Sequence, residues 1–225
     1  MSTSESSDLE LCELICDIGR RLYDKNLVSA TDGNISVRLG EDRFLVTPSG
    51  VSKGFMQPED LVIADGAAGK IEGEGEVSSE FFTHLAAYEE RPDIQAVVHA
   101  HPPKAVGFTL AGQPLTDYLL PEVVFAVGGI PTADYSTPAS KEGAVVIRAL
   151  IRECDALLLD RHGAITVGDD LLDAYYKMEK IEHAAESILT ARLLGSPKKL
   201  NAEQIVKLFA SREDYGGKGK IYPES

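Results

Sequence analysis

The chain has 225 residues and carries 22 Lys and Arg against 36 Asp and Glu, a formal net charge of −14. With 44% hydrophobic residues it can bury a sizeable core, and its length fits one domain over 1–225 rather than a repeat array or a disordered segment. A field of this sign opposes counterion release on nucleic acid, and the apolar runs Ala96 to Val98 and Ala156 to Leu159 are far too short to cross a bilayer. Neither nucleic acid nor a membrane is expected as a partner.

Met1 to Asp8 is Ser-rich and acidic, lacking the basic start and apolar core of a signal peptide, so the chain is expected to stay in the cytoplasm, with 1–7 flexible. Cys12, Cys16 and Cys154 fit reduced, mostly buried thiols. The spacing of Leu9, Leu11, Cys12, Ile15, Ile18 and Leu22 predicts a first helix from about Asp8 to Lys25. After the polar loop Thr31-Asp32-Gly33, alternation predicts strands at Asn34 to Arg38 and Arg43 to Thr47, broken by Pro48-Ser49-Gly50. A helix is expected over Glu80 to Glu90 and a β-rich run over Ile94 to His101, stopped by Pro102-Pro103. The second half predicts a helix from about Lys141 to Arg152, strands at Ala156 to Leu159 and Ala164 to Val167, and a long helix from Leu171 to Leu194. Asn201 and Gln204 form a capping pair for a last helix ending near Ser211, with 212–225 as a C-terminal tail. Strands and helices mix without strict βαβ order, which points to an α/β sandwich around a mixed sheet.

Only five histidines occur, so their placement is informative. His99 and His101 are two apart on a predicted strand, which puts both rings on one face. His162 follows Leu157-Leu158-Leu159 in a turn with Gly163. Three neutral imidazoles without a cysteine are the donor set of a catalytic zinc with an open position, although a lone His-x-His also occurs as a polar strand end. A metallo-β-lactamase-like site needs Asp and His soon afterwards, where this chain has Pro102-Pro103-Lys104, and an amidohydrolase barrel needs a longer chain. Ser78-Ser79-Glu80 opens a helix, where hydroxyls and unbonded amides can hold an anion such as phosphate or can simply cap the helix. His84 and His183 read as structural.

Taken in order, Gly33-Asn34-Ile35-Ser36, Thr47-Pro48-Ser49-Gly50, Ser78-Ser79-Glu80 with His84, Val97-Val98-His99-Ala100-His101 and His162-Gly163 resemble the class II aldolase/adducin family over most of the chain. The resemblance implies a three-layer α/β/α sandwich around a largely antiparallel sheet. It implies one Zn²⁺ held by His99, His101 and His162, with Glu80 completing the resting coordination until substrate displaces it. It also implies a phosphate site at Gly33, Asn34, Ser49, Gly50, Ser78 and Ser79.

The implied activity is reversible cleavage of a ketose 1-phosphate, such as a fuculose 1-phosphate, to dihydroxyacetone phosphate and an aldehyde through a zinc-stabilised enediolate. Glu80 would move the proton at the nucleophilic carbon. Tyr118, from a neighbouring subunit of a homotetramer, or Tyr215 would serve the aldehyde-derived oxygen. Epimerases of ribulose 5-phosphate and a dehydratase of methylthioribulose 1-phosphate share the site. The epimerase branch resembles Ser-Ser-Asp where this chain has Ser-Ser-Glu. Adducin-like binding modules share the fold but have lost the zinc histidines.

Overall fold

The computed structural model describes residues 3–212, 214 and 216–223. Its helices are α1 (Thr3–Asp24), α2 (Phe81–Glu90), α3 (Pro103–Leu110), α4 (Pro121–Ala126), α5 (Glu142–Val146), α6 (Arg148–Ile151), α7 (Leu171–Leu194) and α8 (Ala202–Ala210). The strands are β1 (Asn34–Gly40), β2 (Arg43–Val46), β3 (Val62–Ala64), β4 (Lys70–Glu72), β5 (Ala96–Ala100), β6 (Thr132–Ala133), β7 (Ala156–Leu159) and β8 (Gly163–Gly168). They form one sheet in the order β4-β3-β2-β1-β5-β8-β7-β6, antiparallel throughout except for the parallel pair β6 and β7.

The central strand shows why the sheet is covered on both sides. Ala96, Val98 and Ala100 of β5 pack into a core with Ile15, Ile18 and Leu22 of α1 and Tyr175, Met178 and Ile181 of α7. Val97 faces the opposite way, into a core with Phe81, Leu85 and Tyr88 of α2 and Ile147 and Ile151 near α6. A strand buried on both faces reads as a continuous apolar run, which is what Ala96 to Val98 is. The expected sandwich is therefore observed, with an eight-stranded mixed sheet between helices. No helix among the described residues is long and apolar enough to cross a membrane.

Several boundaries differ from expectation. α1 starts at Thr3, ahead of the apolar stripe that begins at Leu9, because a helix can continue past its buried face. The single helix expected over 141–152 is two short ones, α5 and α6, meeting at Ile147, whose side chain is fully buried. Pro102-Pro103 does stop β5, but Pro103 then occupies the first turn of α3, where its missing N–H costs nothing. Asn201 and Gln204 form the expected reciprocal cap of α8.

A buried charge network ties the layers together. The Arg91 guanidinium, just after α2, lies 2.9 Å from Asp155 and 2.7 Å from Asp93, and donates to the Ile151 carbonyl. Asp155 also accepts from Lys177 of α7 at 2.8 Å, and Lys177 in turn reaches Asp173 at 2.7 Å. Arg91, Asp155 and Lys177 are all buried, so removing the shared carboxylate would leave two buried cations each with only a more exposed carboxylate, Asp93 or Asp173. Asp155→Ala is expected to lower the unfolding free energy by about 3–5 kcal/mol in urea titration, whereas breaking the exposed Glu203–Lys207 pair of α8 should cost less than about 1 kcal/mol.

Candidate metal centre

Four side chains from three parts of the fold meet at one point. β5 delivers His99 on the face of Val97, toward the start of α2, and His101 follows just past the strand end. The β7–β8 hairpin supplies His162 from a turn in which Arg161 has left-handed backbone (φ 57°) and donates its N–H to Thr109 Oγ1 of α3. Glu80 stands at the N-cap of α2. Gly163 is required beside them: a Cβ there would lie 2.4 Å from the Ala100 carbonyl and 2.9 Å from both His99 and His101 rings.

The donor atoms of Glu80, His99, His101 and His162 all lie within 4.8 Å of one another. His99 Nε2 is 2.9 Å from Glu80 Oε2 and 3.1 Å from His101 Nε2, while His162 Nε2 is 3.3 Å from Glu80 Oε1. Four ligands about 2.0–2.1 Å from a tetrahedral ion stand roughly 3.3 Å apart, so these spacings suit a metal. The chemistry agrees with the geometry. His99 Nδ1 lies 2.9 Å from the Ala164 carbonyl, which can only accept, so Nδ1 is the donor there and Nε2 is the ring nitrogen turned toward Glu80 and His101. Acceptors converging this closely call for a cation between them.

Burial, followed by the neighbouring His99 charge, pushes His101 and His162 each down to about 4, so both rings are neutral and competent as ligands near pH 7. Burial acts to raise the Glu80 carboxyl, but the hydrogen bond and charge of His99, the charge of His162 and the Ala139 N–H together hold it well below the usual carboxylate range. Ala139 donates to Glu80 Oε1 at 3.1 Å from a left-handed backbone position.

The cluster opens onto a cleft of about 310 Å³, lined by Gly33, Ser49, Gly50, Ser78 and Ser79 together with Asp32, Lys53, Glu80, His101 and His162. Five of the six residues expected to hold phosphate thus share one cleft with Glu80, His101 and His162 of the cluster. The sixth, Asn34, is buried opposite His99 in the β1–β5 ladder and donates to Ser78 Oγ at 2.8 Å. Ser78 Oγ also accepts from the Glu80 N–H, which leaves its own proton for an acceptor in the cleft.

Tyr118 is not part of this cluster. Tyr118, expected to reach a neighbouring site, is buried in its own chain, where its hydroxyl donates to the Tyr222 carbonyl and its ring packs edge-on against Phe209. Tyr215 lies outside the described residues. His84 is buried with Nδ1 2.7 Å from Ser36 Oγ, and His183 is exposed; neither joins the cluster. Asp32, Lys53 and Ala139 were not singled out from the sequence. Asp32 faces His101 Nδ1 at 3.6 Å, but all three sit in loops that carry no periodic signal.

The model of the class II aldolase and adducin N-terminal domain matches residues 13–189. An L-fuculose phosphate aldolase of Methanococcus maripaludis is 35% identical over 79% of this chain and 95% of its own length. A 3-oxo-tetronate 4-phosphate decarboxylase of Haemophilus influenzae is 33% identical over 82% of this chain and 89% of its own. A solved L-fuculose 1-phosphate aldolase superposes with a TM-score of 0.82 at 28% identity, covering 92% of this chain and 96% of that one. The chain belongs to the class II aldolase and adducin family, on its lyase side.

Metal analysis of the purified protein should find about one divalent ion per chain, and His99→Ala or His162→Ala should abolish retention. Glu80→Gln should keep the ion, since three imidazoles and an amide oxygen remain. Metal content of the histidine variants equal to that of the parent chain would remove the cluster as the metal centre.

Proposed function

We propose that this protein is a zinc-dependent aldolase that reversibly cleaves a ketose 1-phosphate to dihydroxyacetone phosphate and an aldehyde. The observation that carries this reading is the convergence of Glu80, His99, His101 and His162 at the mouth of a cleft lined with hydroxyls and backbone turns. Three imidazoles and a carboxylate suit zinc among the common divalent ions. Zinc bound there supplies Lewis acidity to a ketone beside the breaking carbon–carbon bond, so that no lysine Schiff base is needed.

The chain's own residues do the rest. Ser49, Ser78, Ser79 and the Gly33 and Gly50 turns receive the phosphate, which orients the C2 carbonyl toward the histidines. Glu80, held ionised and steadied by Ala139, is placed to take and return the proton at the nucleophilic carbon. The proton on the aldehyde-derived oxygen falls in this reading to Tyr118 from a neighbouring subunit or to Tyr215; within its own chain the Tyr118 hydroxyl donates to the Tyr222 carbonyl. A homotetramer in the cytoplasm belongs to the same reading. Exposed Leu110, Leu189, Leu193 and Leu194 offer apolar surface for such an assembly. Ser-Ser-Glu in place of Ser-Ser-Asp favours aldol cleavage over epimerisation.

A panel of ketose 1-phosphates, coupled to detection of dihydroxyacetone phosphate, should show cleavage that chelators abolish and zinc restores. Glu80→Gln should lower turnover by about 10²–10⁴ while retaining metal. Silence on every ketose 1-phosphate would overturn the aldolase reading, and carbon dioxide release from a 3-oxo acid phosphate would replace it with the chemistry named for the Haemophilus relative.

A further inference from the structure

Lysine is seldom buried without a counter-charge, because taking an ammonium out of water is costly. Lys53 is 2% exposed, and both of its hydrogen-bond partners are neutral: Nζ donates to the Val51 carbonyl at 2.6 Å and to the Thr31 carbonyl at 3.0 Å. Those carbonyls flank the two turns that line the cleft, since Thr31 is two residues before Gly33 and Val51 directly follows Gly50. An ammonium has three N–H groups, and two are used. The backbone around it is pinned from behind by α1, where a Cβ at Gly19 would lie 2.5 Å from the Lys53 carbonyl. Among the described residues lining the cleft, Lys53 is the one lysine or arginine, and it shares that lining with the carboxylates Asp32 and Glu80.

We propose that Lys53 is the cation of the anion subsite, whose missing counter-charge is the substrate's phosphate: its third N–H and its charge act on the phosphoryl group, while its two carbonyl bonds hold the Gly33 and Ser49-Gly50 turns at the right separation. This rests on the phosphate reading of the cleft and adds to it a residue outside the expected set. Burial lowers the Lys53 ammonium to about 8, and Asp32 is the charged group that pulls it back upward; His101, His162 and Glu80 line the same cleft further along. A phosphate dianion beside it would reverse the shift. Because the charged form binds the anion and the neutral form does not, affinity for phosphate is retained below about pH 8 and lost as the pH rises through that value.

The test uses metal-loaded enzyme with inorganic phosphate as the probe. Lysines labelled with carbon-13 at the ε-carbon are titrated by NMR with and without saturating phosphate, and Lys53 is assigned from the spectrum of Lys53→Met. Its midpoint should move upward by a unit or more with phosphate, and inhibition by phosphate should weaken several-fold between pH 7 and 9.5. Lys53→Met should raise KM for a ketose 1-phosphate, and the inhibition constant for phosphate, by about ten- to a hundredfold, with a smaller effect on kcat and no remaining alkaline loss. A variant that fails to fold leaves the parent enzyme's inhibition profile to decide. Phosphate that inhibits equally at both pH values, or leaves the Lys53 midpoint unmoved, overturns the role of Lys53 alone. Phosphate that does not inhibit at all overturns the phosphate reading of the cleft with it.

Discussion

The hydrogen bond from His99 Nδ1 to the Ala164 carbonyl decides what the centre of this molecule can be. It is made across the β5–β8 ladder, one residue from the Ala100–Ala164 pair, so the most buried part of the sheet sets the tautomer of the ring. With Nδ1 occupied, Nε2 is the ring nitrogen that faces a space already shared by Glu80, His101 and His162. A proton can settle one of those contacts, whereas a divalent ion settles all of them. The surrounding features then follow as conditions for bringing four acceptors together: Gly163 because a side chain would collide, Arg161 in left-handed backbone to turn His162 inward, and the Ala139 N–H to hold one carboxylate oxygen in place.

β5 joins the two halves of the site. On one side it pairs with β1, where Asn34 stands opposite His99 and reaches across to Ser78; on the other it pairs with β8, which begins directly after His162. One central strand thus sets the distance between the turns that suit an anion and the ligands that suit a metal. The carbon skeleton of a bound sugar would have to span that fixed separation, and productive orientation depends on such rigidity. The core packed on both faces of β5, with the Arg91–Asp155–Lys177 network behind it, keeps the strand from adjusting.

What was legible in the sequence follows from where periodicity exists. His99 and His101 could be placed on one face because a strand repeats every two residues, and α7 could be bounded because its apolar positions keep a helical period between Asp170 and Gly195. Pro103 was read as a stop and concealed α3, since the same residue that ends a strand can open a helix. The hydrogen bond from Asn34 to Ser78 is likewise invisible in the spacing, because it rests on side-chain direction across 44 residues of chain. Lys53, Asp32 and Ala139 lie in loops whose conformation is set by contacts distant in the chain, such as Lys53 with Thr31 and Ala139 with Glu80. Tyr118 shows the same limit: its partner Tyr222 is 104 residues away.

The overall charge of −14 appears at odds with a cleft for phosphorylated ligands, and the discrepancy is resolved by distance. Exposed carboxylates are screened within about 8 Å at physiological salt, while groups inside the cleft act through little water. There the balance is local: Lys53 and the carboxylates Asp32 and Glu80 line the same cleft as His101 and His162, with Asp32 3.6 Å from His101 and acting on Lys53 as well. On the proposed reading, a phosphate entering the cleft adds negative charge beside Lys53, so the anion would stabilise the buried lysine as the lysine binds the anion. The acidic exterior leaves this interior balance undisturbed.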